Sequence, residues 1–171
     1  MIIWLNGAFG VGKSTIAYLL NQQIHDSILY DPERLGDFLQ KNLPTSVCPE
    51  DFQDYPIWRR ATIQIIRDLA SKTDKIIIVP MTIFKKEYYQ EIIEQGLSED
   101  IYVQHYILVA DKKTILSRLN NRTQENNNWA LKHLDHCLRA FGDQISGQKI
   151  NTDSLTVNEI ADLILKDLKG G

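Results

Sequence analysis

The 171-residue chain is poor in cysteine, in basic excess and in long apolar runs. Its two cysteines, Cys48 and Cys137, lie outside any C-x-x-C pair, which excludes a disulfide framework and a thioredoxin-type redox site. Both are expected to be reduced. Lys plus Arg number 19 against 22 Asp plus Glu, for a net charge of -3. That balance lacks the basic footprint of a nucleic-acid binder. The longest aliphatic run, Ile76 to Val79, falls far short of the roughly 20 apolar residues of a membrane span. No basic leader with an apolar stretch precedes the first glycines, so no secretory signal is expected and the cytoplasm is the expected location. What is present, 43% apolar and 24% charged residues, suits an ordinary globular domain. A chain of this size buries about two thirds of its unfolded surface and needs no staples.

Strand and helix patterns alternate. Ile2–Leu5 is a short apolar run without alternation, which predicts a strand covered on both faces. Ser14–Ile24 reads as an amphipathic helix, Ser27–Tyr30 as a strand, and Asp31 or Pro32 opens a helix to about Lys41. Residues 42–56 contain Pro44, Pro49 and Pro56 and predict an irregular segment, long enough to suggest function. Further on, helices are expected over Ile57–Ser71, Lys85–Gln95 (with Gly96 as C-cap), Lys112–Arg122 (capped by Asp111), Trp129–Phe141 and Thr156–Lys169. Strands are expected over Ile76–Val79, Tyr102–Val109 and Gln148–Asn151. Five strands alternating with helices predict a parallel sheet covered on both faces. No linker or internal repeat divides the chain, so residues 1–171 are expected to form one domain.

The strongest local signal is Gly7-Ala8-Phe9-Gly10-Val11-Gly12-Lys13-Ser14. It matches G-x-x-x-x-G-K-[ST], with a strand before it and a helix after it. Glycines let successive N–H groups converge on an anion, and the helix start adds unpaired N–H groups and its dipole. This predicts binding of a nucleoside triphosphate by Gly7, Ala8, Phe9, Gly10, Val11, Gly12, Lys13, Ser14 and Thr15. Lys13 would reach the β- and γ-phosphates, and the Ser14 hydroxyl would ligate Mg2+.

With the loop, Asp31-Pro32-Glu33, Trp58-Arg59 and Ile78-Val79-Pro80-Met81-Thr82 all in view, the chain resembles the tunicamycin-resistance family of P-loop kinase-like proteins. The segments IIWLNGAFGVGKS, YDPE, DFQDYPIWR, IIVPMT and Asn128-Trp129-Ala130 carry the likeness across nearly the whole chain. More remotely the chain is similar to shikimate, gluconate and antibiotic kinases. The resemblance implies an α/β P-loop NTPase fold with a five-stranded parallel sheet of order 2-3-1-4-5, ATP and Mg2+ as cofactors, and a link to resistance against a nucleoside antibiotic.

The acceptor side is expected in residues 31–60. Asp31 follows the second strand, at the sheet end where ligands collect. It is a candidate catalytic carboxylate and magnesium ligand, and equally a helix cap. Resemblance favours Arg59 over Arg60 as an acceptor contact, a guanidinium fork suited to anions. Trp58 is a candidate to stack on the acceptor or to fill the core, and Asp51 and Tyr55 are weaker candidates nearby. The strand Ile76–Val79 is followed by Pro-Met-Thr where wider kinases often carry an aspartate; Thr82 is the polar candidate there. A small lid is expected around 118–130. In it Arg118 would lie against adenine, Arg122 would act on phosphate during transfer, and Asn127, Asn128 and Trp129 would form a hinge or cover. Thr152, after the last strand, is a candidate for adenine contact. His133, His136 and Cys137 do not have the spacing of a zinc site.

These residues predict an ATP-dependent small-molecule phosphotransferase with Lys13, Asp31 and Arg122 as its catalytic groups. Two alternatives stay open: a protein that sequesters a drug in an ATP-dependent manner without modifying it, and an ATPase switch acting on a protein partner. The expected partner is a small-molecule acceptor or drug, not nucleic acid. Monomer and homodimer are both open.

Overall fold

β1 (Ile2–Gly7) is buried along its whole length. Its side chains alternate between two cores up to Leu5, which is why Ile2–Leu5 shows no polar position. Ile2 and Trp4 enter one apolar cluster, and Ile3 and Leu5 enter the other. The computed structural model describes every residue except Thr45, Cys48, 122–126 and Gly171, and the side chains at 127 and 169–170.

The sheet has order β2-β3-β1-β4-β5 with every pairing parallel, as the resemblance implied. Its other strands are β2 (Ser27–Leu29), β3 (Ile76–Pro80), β4 (Val103–Val109) and β5 (Gln148–Asn151). β1 lies centrally, with Trp4 beside Val79 of β3 and His105 of β4. Parallel strands need crossovers, and helices supply them. α1 (Lys13–Gln23) and α7 (Val157–Gly170) cover one face, where Ile16, Leu20, Ile160 and Ile164 pack on Ile3, Leu5, Ile78 and Tyr106. The other face carries α3 (Pro56–Lys72), α5 (Lys112–Asn120) and α6 (Asn127–Arg139), whose Trp58, Ile66, Ile115 and Leu134 pack on Ile2, Trp4, Ile77 and Val79. α2 (Glu33–Asn42) packs against α3 and against a 3₁₀ turn at Phe52–Asp54 that interrupts the irregular segment.

Two expected helices end differently. α4 spans only Lys86–Tyr89 and continues as a wider π-helical turn over Gln90–Gln95; α6 likewise passes into a π turn at Ala140–Gln144. Gly96 follows the last turn in a right-handed conformation (φ -76°), not the left-handed one of a glycine C-cap. Asp111 sits at the N-terminus of α5 without a side-chain capping bond. No helix among the described residues is long and apolar enough to cross a membrane.

Candidate nucleotide and acceptor site

The carboxyl ends of the parallel strands converge on one edge, and the functional candidates gather there because each follows a strand. β1 feeds the glycine loop, in which Gly7, Gly10 and Gly12 have φ of 135°, 81° and 108°. Gly7 is required twice over. L-residues avoid that φ, and a Cβ there would lie 2.4 Å from the Leu108 carbonyl oxygen of β4. α1 begins at Lys13 with no side-chain cap, so its first N–H groups face the loop. Lys13 is buried and its Nζ donates to the Gly7 and Ala8 carbonyls, each at 3.0 Å, spanning the loop's mouth.

The base of the loop is stapled from behind. The Asn6 Oδ1 accepts from the N–H groups of Gly7 and Ile83, both at 2.9 Å, and its Nδ2 donates to the Ile83 carbonyl at 3.1 Å. Nδ2 also approaches His105 Nε2 at 3.3 Å, while His105 Nδ1 lies 2.6 Å from the Ser146 carbonyl. The carbonyl can only accept, so Nδ1 carries the proton and Nε2 accepts from Asn6. Burial pushes the His105 pKa down to about 4, which keeps the ring neutral. Asn6 and His105 were not singled out in the sequence; an isolated Asn and His carry no local signal for such a role.

Thr82 is fully buried behind the loop. Its hydroxyl donates to the Gly7 carbonyl at 2.9 Å, and its own carbonyl accepts from Gln53 Nε2 at 3.0 Å. Thr82 therefore braces the glycine loop and is not exposed for acceptor contact. The chain Gln53–Thr82–Gly7 ties the 51–54 turn to the phosphate loop.

A cavity of about 260 Å³ opens in front of the loop. Gly10, Gly12, Lys13 and Ser14 line it, together with Glu33 and Asp37 of α2 and the segment Glu50–Gln53. Phe9 and Trp129 also line it, edge to face with ring centroids 5.0 Å apart, and His133 stacks on Trp129 at 4.2 Å. Met81 lines the cavity where wider kinases often place an acid, and Asp51 is among its lining residues.

The acceptor-side expectations need correction. Asp31 does not line the cavity. Its Oδ1 accepts from the Glu33 N–H at 3.0 Å, the capping alternative. Burial raises its pKa, against the pull of the Glu33 amide, Arg34 and Lys13. Trp58 is fully buried, packed on Phe52 and donating to the Pro32 carbonyl at 3.0 Å, so it is core and not a stacking platform. Arg59 faces the protein: its Nε meets Glu91 at 2.6 Å, its Nη1 the Gln53 carbonyl at 2.5 Å, and its guanidinium lies over Tyr88. It buttresses the 51–54 turn and offers no open fork to an anion.

On the nucleotide side two expectations come together. Arg118 donates to the Thr152 hydroxyl and carbonyl, each at 2.9 Å, and leans on the Val11 carbonyl at 3.4 Å. Thr152 is buried, held by its N–H on the Val109 carbonyl at 2.8 Å. This brings the ends of β4 and β5, the lid entry and the glycine loop together. Arg122 and lid residues 123–126 lie outside the described residues, as does the side chain of Asn127. Ser14 and Thr15 are exposed in the first turn of α1, and only Ser14 reaches the cavity. Cys137 is buried, with its thiol pushed up to about 12, and among the described residues no cluster of His, Cys, Asp and Glu is arranged for a metal.

No protein-family model matches the chain, and no curated protein matches it in sequence. Solved structures do match. The Deinococcus radiodurans tunicamycin resistance protein superposes with a TM-score of 0.76 at 24% identity, covering 98% of this chain and 95% of that one. The chain has a P-loop kinase fold. A sugar kinase from Janibacter sp. HTCC2649 superposes at 0.70 with 17% identity, covering 98% and 94% of the two chains. The shikimate kinase of Aquifex aeolicus superposes at 0.59 with 17% identity, covering 99% and 97%. The likeness to the tunicamycin-resistance protein read from the motifs is thus found in the fold.

Proposed function

We propose that the chain binds MgATP on residues 7–14 and transfers the γ-phosphoryl group to a hydroxyl of a small molecule seated against Glu50–Gln53. The observation that carries this reading is the continuous cavity between the helix start at Lys13–Ser14 and the buried carboxylate of Asp51. Transfer needs positioned reactants and little covalent help, which a cavity shared by donor and acceptor supplies. Loop N–H groups and Lys13 hold the phosphates, and Arg118 with Thr152 borders the nucleoside end. The oxygen-bearing lining fits a hard cation, and Ser14 would hold Mg2+, which usually takes only one or two protein ligands besides phosphate oxygens and water. When bound, that ion supplies charge neutralisation between the phosphates. Asp51, which lines the cavity where Asp31 does not, would take the proton as the acceptor oxygen bonds to γ-phosphorus and the bond to ADP breaks.

The fold shared with the tunicamycin resistance protein supports a nucleoside antibiotic as acceptor. Met81 at the exit of β3, in place of an acid, supports a second reading, in which the protein sequesters such a drug with ATP bound and does not modify it. Incubation with Mg2+, γ-labelled ATP and tunicamycin or a small hydroxylated acceptor separates the two. Labelled product supports transfer; a stoichiometric complex without product over many turnover times refutes it. Lys13→Met should abolish nucleotide binding under both readings, and unchanged binding would refute the loop assignment.

A further inference from the structure

Asn6 is the last residue before the glycine loop and is fully buried. A side-chain amide can accept two hydrogen bonds and donate two, and Asn6 makes all four. Its Oδ1 takes the N–H groups of Gly7 and Ile83, and its Nδ2 reaches the Ile83 carbonyl and His105 Nε2. A buried amide saturated in this way has a single orientation. Gly7 is thereby held at its N–H by Asn6 and at its carbonyl by Thr82 and Lys13. An aspartate would satisfy the two N–H groups but would turn an acceptor toward the Ile83 carbonyl and the His105 nitrogen, both acceptors themselves.

His105, on β4, is oriented in turn. Its Nδ1–H donates to the Ser146 carbonyl at 2.6 Å. The Tyr89 hydroxyl donates to the same carbonyl at 3.2 Å, and the Tyr89 ring stacks on the imidazole with centroids 5.3 Å apart. A Cβ at Gly147 would stand 2.9 Å from Nδ1, so the turn before β5 closes tightly on the ring. The tautomer fixed on the Ser146 side leaves the Nε2 lone pair for Asn6. Neither Asn6 nor His105 lines the cavity, so both act through Gly7.

Resting on the nucleotide-binding part of the reading above, we propose that Asn6 is a positioning residue for the phosphate loop and that His105, as its Nδ1–H tautomer, orients it. The pair fixes the first peptide of the loop, from which the phosphate-facing N–H groups follow.

The test is calorimetry of a non-hydrolysable ATP analogue with Mg2+ on the full chain, between about pH 5.5 and 8.5, with 15N NMR of the histidine rings. In the wild-type chain His105 should carry a proton on Nδ1 and none on Nε2 throughout. Asn6→Asp keeps both N–H contacts but leaves Nε2 without a donor, so the pair takes up one proton. Lys13 Nζ, on the Gly7 carbonyl, favours the carboxylate and sends that proton to the imidazole. Tyr89, the titratable group stacked on the ring, stays neutral, since burial raises its pKa. The loop is held while the proton is bound. Affinity relative to wild type should therefore fall as pH rises, from within about threefold at the acid end to about tenfold weaker at the basic end. His105→Phe keeps a ring on Tyr89, removes the acceptor and should weaken the analogue about fivefold at every pH.

A merely structural role would lower the melting temperatures and leave the affinity ratios flat. A deficit in Asn6→Asp that does not change with pH overturns the proposal. So does affinity within twofold of wild type in His105→Phe, or a proton on Nε2 of the wild-type ring. If Asn6→Asp does not fold, His105→Phe and the ring signals decide. Failure of the wild-type chain to bind the analogue overturns the nucleotide reading instead, so the two failures are distinct.

Discussion

Asp51→Asn should make the ligand-free protein more stable while removing function. The wild-type carboxylate is buried, one of its oxygens lacks a hydrogen-bond partner, and burial raises its pKa against the pull of the Gln53 amide and Lys85. The folded state thus disfavours the charged form. Asparagine retains Oδ1 for the cap on Gln53, and Lys85 retains Asp54. A buried unsatisfied group costs about 1–3 kcal/mol and more when charged, so the neutral Nδ2 that asparagine leaves there costs less than the carboxylate oxygen. Subtracting the lost attraction to Lys85 leaves a gain of about 1 kcal/mol, or about 2–4 °C in Tm for a chain of this length. The pH dependence has a definite sign. Between the ordinary carboxylate value, 3.8, and the raised folded value, the folded state binds more protons than the unfolded one. Stability from this group therefore falls as pH rises through that window. The advantage of the variant should be greatest at pH 7 and shrink as the pH is lowered toward 3.8. Asp31, also raised, is present in both proteins and cancels in the difference. Denaturant melts of both proteins across this range measure it. A variant less stable than wild type at pH 7, or an offset independent of pH, would refute the view that this carboxylate is held at a cost.

His105 gives the opposite slope: its pKa falls from 6.5 to about 4 on folding, so its contribution is full above 6.5 and lost as pH drops toward 4. His105→Gln should flatten that part of the stability profile in urea melts. Thr82→Val removes the donor to the Gly7 carbonyl and should cost about 1 kcal/mol by calorimetry, with weakened ATP binding as the loop loosens. Gly7→Ala should cost on the order of 3 kcal/mol, since its Cβ meets the Leu108 carbonyl at a positive φ; an unchanged Tm would contradict the loop geometry. Arg118→Met should weaken ATP five- to tenfold by calorimetry, through loss of the brace on Thr152 and of a face for the base.

The central strands and the glycine loop were legible because their signals are local. Ile2–Leu5 has no polar position, and Lys13 and Ser14 sit at fixed offsets from Gly7. Strand order was not legible from periodicity and entered only through the resemblance. The acceptor side was hardest, since each role there depends on a distant partner. Arg59 has the composition of an anion contact, yet Glu91, 32 positions on, claims it. Trp58 has the composition of a stacking platform, yet Phe52 and the Pro32 carbonyl enclose it. Thr82 was singled out as the polar candidate after the third strand, but its hydroxyl faces the Gly7 carbonyl. Asp51 and Gln53 lie in a proline-bracketed segment without periodicity, so no pattern shows their burial.

The displaced carboxylate has a consequence for how this site is assembled. Asp31 stands two residues beyond β2, next to Tyr30, whose N–H is held by the Ile78 carbonyl of β3, whereas Asp51 stands on a short turn whose position depends on three clamps: Arg59 on the Gln53 carbonyl, Gln53 on the Thr82 carbonyl, and Thr82 on the Gly7 carbonyl. The last clamp ends on the phosphate loop. A nucleotide that shifts Gly7 therefore acts on the acceptor turn through two buried hydrogen bonds, and coupling of that kind is reciprocal in free energy. ATP and acceptor should bind cooperatively, and Thr82→Val should reduce the coupling more than it reduces either affinity alone. Calorimetric titration of each ligand in the absence and presence of the other gives the coupling factor in both proteins. Equal factors would show that the clamp transmits nothing.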